Sequence, residues 1–126
     1  MGAVIDELVA FLRARLDQDE RIARAVTTPG AWRVSHSHGG PTVEGDGWTV
    51  RGADELDAAH IAEHDPARVL KEVRAGRQAI AHYERVAAHR WKHLDYELAI
   101  GAVEVQLKIR ALPYAGHEDY RQEWKP

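Results

Sequence analysis

The residues in this chain best placed to do chemistry are His60 and His64 in the stretch AAHIAEHDP. Four positions apart on a helix, they stand one above the other on one face, a spacing that can chelate a transition metal. A usual site also needs a third ligand and a supporting shell. The HExxH order of metalloproteases is missing, because Ile61, Ala62 and Glu63 lie between the histidines and put the glutamate next to the second one. A metal-dependent hydrolase could be assembled only by adding Asp65 and the distant His117. The simpler expectation is two histidines at a helix end, with no metal and no cofactor. Ser35 and Ser37, the only serines, alternate with His36 and His38 in a loop. Sequence neighbours on a loop do not present triad geometry. The glycines after His38 lack the GxxxxGK[ST] order of a phosphate cradle.

A second chemistry is electrostatic. Arg68, Lys71, Arg74, Arg77 and Arg85 share one helical segment, which runs into His89-Arg90-Trp91-Lys92-His93. Arg68, Lys71, Arg74, Arg77, Arg90 and Lys92 could contact phosphates, with Trp91 stacking on a base. That would make the chain a nucleic-acid-associated accessory protein. The formal net charge of −3 argues against it. Basic residues late in a helix also complement its dipole, and an acidic partner helix would pair with the rest.

The element that must position both sets runs from His64 to about Arg90. Asp65-Pro66 offers an N-cap carboxylate followed by proline at the first helical position, where its fixed φ is already helical. Val69, Val73, Gly76, Ile80, Tyr83 and Ala87 then alternate in steps of four and three, one face of a long spine helix. Gly76 in that seam costs about 1 kcal/mol against alanine, which a close helix crossing would explain.

The other elements follow in order. Ala3 to about Val26 reads as a helix with Ile5, Leu8, Leu12 and Leu16 in line and Val9, Phe11 and Ile22 widening the stripe. Thr27-Thr28-Pro29-Gly30 ends it. The period then changes: Thr42-Val43-Glu44 and Trp48-Thr49-Val50 flank Gly45-Asp46-Gly47, a three-residue glycine turn in a small antiparallel sheet of two or three strands. Such a sheet is too small to stand alone, so Trp32 or Trp48 should pack on helices. Ala53 to His64 is a short helix. Leu94 to Leu112 is ambiguous. Val103, Val105, Leu107 and Ile109 alternate as in a strand, yet Leu98, Ala102, Val105, Ile109 and Leu112 keep helical spacing. Its length and good helix formers favour a helix, stopped by Pro113 and packed antiparallel to the spine. The expected fold is mainly α: a small helical bundle of three longer helices plus a short one, with an inserted β hairpin, in a single domain over residues 1–126.

Composition sets the outer limits. Hydrophobic residues make up 44% and charged residues 29%, an ordinary globular balance. The absence of cysteine removes disulfides, thiolate nucleophiles and thiolate metal sites. Asp6 and Glu7 precede any arginine, the reverse of a secretory leader. No apolar run approaches the roughly 20 residues that span a bilayer. A cytoplasmic protein is the expectation.

Three stretches, LVAFLRARLDQDE, AAHIAEHDPARVLKEV and ALPYAGHEDYRQEW, together resemble an uncharacterised family of short proteins, a domain of unknown function found in actinobacteria and their phages. Members often carry cysteine pairs between the spine and the ALPYA segment that look like a small zinc site. Here His89, Trp91 and His93 occupy that region instead. The resemblance implies no activity.

With no nucleophile–base set, phosphate loop or complete metal constellation, the expected role is a non-enzymatic protein-interaction or regulatory module with an unknown protein partner, and the resemblance adds a phage-encoded origin to the expectation. The Val4–Phe11 flank of the first helix lacks an obvious intrachain cover. Either first helices pair in a two-fold homodimer, or Tyr120 and Trp124 of the C-terminal tail fold back over it.

Overall fold

A computed structural model describes residues 2–26, 30–37, 39–52, 54–89 and 94–126 of the chain. Four helices, α1 (Ala3–Ala25), α2 (Glu55–Glu63), α3 (Pro66–Ala88) and α4 (Leu94–Ala111), carry most of it. Strands β1 (Arg33–Ser35), β2 (Thr42–Gly45) and β3 (Trp48–Val50) lie between α1 and α2, and two 3-10 turns, Leu112–Tyr114 and Gln122–Trp124, end the chain. The mainly α architecture with an inserted small sheet is the expected one, and the ambiguous segment is a helix. The predicted break at Thr27-Thr28-Pro29 and the connection Arg90–His93 lie outside the described residues. The fold divides into two compact units, residues 18–73 and residues 1–17 with 74–126.

In the unit of residues 18–73, β1, β2 and β3 form one antiparallel sheet in sequence order. Val34, Val43 and Val50 line up across it, as do Arg33, Glu44 and Thr49 on the opposite face. Val43 is fully buried, and α2 packs on β1 and β2. Asp54 starts α2, its carboxylate accepting the Asp57 N–H at 2.9 Å.

The hairpin differs from expectation in one respect. Gly45 pairs with Trp48 inside the ladder, so the loop is the two residues Asp46-Gly47, with Gly47 at φ +69°. The positive φ of Gly47 suits a tight two-residue turn, and the sheet face beside it is aromatic. Trp32, Gly45 and Trp48 share a row, and the two indoles meet with ring centroids 4.7 Å apart. The tryptophans pack on each other, each still half-buried.

Asp65 ties this sheet to α3. One carboxylate oxygen accepts the Arg68 N–H at 2.8 Å, the expected N-cap, and the other accepts the Trp32 N–H at 2.9 Å. Alongside, the Ala67 N–H donates to the Gly30 carbonyl at 3.2 Å. A buried carboxylate is tolerated here because both oxygens hold backbone donors.

In the unit of residues 1–17 with 74–126, α1 and α3 approach at Gly76. A Cβ there would come within 2.8 Å of Leu16 Cδ2, so the seam glycine marks the close crossing its position suggested. Leu8, Leu12, Leu16, Ile80 and Tyr83 are buried around it. Beside α3 runs α4. The Tyr96 hydroxyl donates to the Ala87 carbonyl at 3.4 Å near the end of α3, while Glu104, further along α4, acts on Tyr83, a turn earlier in α3. That order is antiparallel. Of the stripe predicted for α1, Ile22, which belongs to the unit of residues 18–73, departs: it is 61% exposed while neighbouring Ala23 is buried.

Losing the acceptor at position 65 should cost more than an ordinary cap. Asp65→Ala strands two backbone donors, and chemical denaturation should show a loss of about 2 kcal/mol, against about 1 kcal/mol for a cap alone. A loss no larger than the cap value would mean that the Trp32 bond contributes nothing.

Candidate interaction surface

The histidines of α2 stack with ring centroids 4.3 Å apart, and His64 Nδ1 lies 2.9 Å from the His60 carbonyl. Since a carbonyl only accepts, that nitrogen carries the proton. Asp65 is committed to two backbone N–H groups. His117 packs edge-on to Phe11 at 5.7 Å, and its Nδ1 accepts the Asp119 N–H at 3.1 Å. Among the described residues, no group of three or more His, Cys, Asp or Glu side chains is gathered to hold a metal. The serine loop is arranged differently from a triad: Ser35 and Ser37 share a hydroxyl–hydroxyl bond at 2.8 Å, and His36 pairs with Glu55 at 2.9 Å. His38 lies outside the described residues.

The basic set is only partly available. Arg68 bonds Glu72 at 2.9 Å and reaches Glu63 at 3.5 Å, and the bond to Glu72 raises its guanidinium pKa further. Arg77 bonds Asp17 at 2.8 Å. Lys71 and Arg74 are exposed, and Arg90 and Lys92 lie outside the described residues. The α3 surface is thus a mixed one, with carboxylates engaging two of the four described cations of the candidate set.

The C-terminal tail covers the Phe11 flank of α1. Phe11 is the hub: Tyr114, Tyr120 and Trp124 lie 6.3, 6.0 and 5.0 Å from its ring centroid. Trp124, 2% exposed, donates its indole N–H to the Val4 carbonyl at 3.2 Å. Arg121 pairs with Glu7 and lies over the Trp124 ring at 5.8 Å. The Tyr120 hydroxyl is buried without a hydrogen-bond partner, so aromatic burial and not polar pairing holds this residue. Of the flank that motivated pairing of first helices, Phe11 is 7% exposed and Val4 keeps 38%.

The surface that sequence reading did not locate is on α4. Ile100, Leu107 and Ala111 are buried, whereas Leu98, Val105, Ile109 and Leu112 are 67%, 42%, 43% and 43% exposed. At 3.6 residues per turn the two sets stand on opposite sides of the helix. The outer set, with exposed Ala102, keeps steps of four and three over 15 positions (98 to 112). That spacing was visible in the sequence, and the signal was its coexistence with a second stripe, since a helix apolar on both sides has more than one neighbour to satisfy.

Between α1 and α3 an open groove of 730 Å³ is lined by Asp6, Val9, Arg13, Tyr83 and Glu84 among others. Arg13 and Glu84 pair across it at 2.6 Å. Tyr83 has its phenol pKa raised above 10.0, first by burial and then by the negative charge of Glu104 and Asp6.

Two expectations follow from the tail and the groove. Trp124→Ala should lower stability by about 3 kcal/mol in denaturant unfolding and expose the Arg121–Gln122 bond to trypsin. Unchanged stability and cleavage would show that the tail is not the lid. Tyr83 stays protonated in the folded chain to higher pH than in the unfolded one, so above pH 10.0 unfolding releases a proton and stability falls as pH rises. Tyr83→Phe should flatten that alkaline decline in thermal melts, and an unchanged slope would assign the decline elsewhere.

No curated protein and no solved structure matches the chain. No helix among the described residues is long and apolar enough to cross a membrane. The chain matches the family model described as a family of unknown function, DUF6221, over residues 5–126, and belongs to that family.

Proposed function

We propose that this protein is a non-enzymatic interaction module whose contact surface is the outer face of α4. The observation that carries the reading is the line Leu98, Val105 and Ile109 on one face of α4, continued by Leu112 at the start of the 3-10 turn, each more than 40% exposed. Scattered exposed apolar residues are ordinary, but an aligned apolar strip marks a surface that another molecule covers. The polar candidates point the same way. Arg68 and Arg77 spend their charge on neighbouring carboxylates, and Asp65 spends its own on backbone donors.

A photoreactive amino acid placed at Val105 in living cells tests the reading, with Lys71 on α3 as the control position. Irradiation should give a discrete adduct from position 105 and none from position 71. No adduct from position 105 would remove α4 as a contact surface.

A further inference from the structure

We infer that the outer face of α4 is covered by α4 of a second copy of this chain, the two helices running antiparallel about a two-fold axis. The inference rests on the reading of that face as a contact surface and adds its occupant.

The argument begins with spacing. Leu98, Ala102, Val105, Ile109 and Leu112 follow the four-three alternation of a seam that stays in register with another helix. In an antiparallel pair centred between Val103 and Glu104, Leu98 stands opposite Ile109 of the copy and Ala102 opposite Val105. Symmetry repeats both contacts. Large residues therefore meet at the outer layers and small ones at the centre. Small central residues allow helix axes to approach at the short end of the usual 8–10 Å range. Gly101 borders this centre, and a Cβ there would meet nothing within 4 Å, so space stands open beside the seam.

Charge then selects the direction. Glu97 and Lys108 lie on the same flank of α4, about 20° apart at 100° per residue. A two-fold axis perpendicular to the helices brings like flanks together. Each Lys108 then falls within two residues of the level of Glu97 on the copy, which makes two reciprocal acid–base pairs. A parallel pair would instead set that flank against the one carrying Ala99, Gln106 and Arg110. It would also leave Glu97 level with Glu97 and Lys108 level with Lys108. Helix dipoles add the same preference, since antiparallel neighbours oppose their ends.

The chain has no cysteine, so introduced thiols report pairing without background. Leu98 and Ile109 are both exposed, so neither substitution disturbs the chain's own core. Leu98→Cys and Ile109→Cys chains, mixed and oxidised, should form a disulfide-linked dimer, while each alone should not. Alone, the like thiols would be about 16 Å apart along the axis at 1.5 Å per residue, far beyond disulfide reach. Sedimentation of the unmodified chain at tens of micromolar should give twice 14.1 kDa, and Val105→Glu should return it to 14.1 kDa. Equal cross-linking of either variant alone would overturn the antiparallel arrangement. A mass of 14.1 kDa for the unmodified chain with no cross-link in the mixture would overturn the second copy as occupant. In that case an adduct at Val105 to a different protein would leave the contact surface standing, and no adduct at all would remove both.

Discussion

The close approach of α1 and α3 at Gly76 is the constraint on which the helical unit depends. A side chain at position 76 would come within 2.8 Å of Leu16 Cδ2, so this buried leucine would have to shift. Glycine there gives up about 1 kcal/mol of helix propensity. In exchange the two helices bury Leu8, Leu12, Leu16, Ile80 and Tyr83, and each such side chain contributes roughly 1.5–3 kcal/mol on full burial. The balance is not close. The ion pairs flanking the crossing, Asp17–Arg77 and Arg13–Glu84, are about half exposed. Exposed pairs contribute about 0–1 kcal/mol each, so their effect is to fix the register of one helix on the other more than to hold them together.

That crossing decides what α4 can do. With one face of α3 turned to α1, α4 takes a neighbouring position, tied by Tyr96 to Ala87, and needs only Ile100, Leu107 and Ala111 to make its side of the core. Its opposite side is left with leucine, valine and isoleucine in line. The chain's tail, the other large apolar element, is already committed: Tyr114, Tyr120 and Trp124 converge on Phe11. An apolar face of four turns thus remains after every other large aromatic of the tail has found a neighbour.

How much of this was legible in the sequence depends on whether the deciding force was local. The Asp65-Pro66 start of α3, the seam through Gly76 and the strand–turn–strand order around Asp46 follow from caps, periods and turn chemistry, and they hold. Gly45 misled because a glycine beside Asp46-Gly47 looks like turn. It pairs with Trp48 in the ladder instead, and Trp48 stacks on Trp32, a contact 16 residues apart that no local rule reveals. For the basic face the sequence suggested an acidic partner helix but not which residues would pair. Arg77 finds Asp17 sixty residues away, a partner no spacing rule reveals. For α4 both stripes could be read, but nothing local says which one the rest of the chain will claim. Likewise the second acceptor role of Asp65, towards Trp32 33 residues earlier, is a tertiary bond with no sequence signature.

The chemistry left on the surface bears on the kind of recognition at work. A nucleic-acid interface gains affinity by neutralising phosphates and loses it steeply with salt. Here Arg13, Arg68, Arg77 and Arg121 each face a carboxylate of the same chain, so using them elsewhere would first break those pairs. The seam on α4 carries the opposite signature. Its driving force is removal of apolar surface from water, which salt leaves largely intact and which brings a negative heat-capacity change. Glu97 and Lys108, at its edge, are placed to choose orientation and not to supply most of the affinity, as charges at the rim of an interface do. In the proposed pair, direction and strength of association reside in different residues, and they separate experimentally: salt acts on the first and temperature on the second.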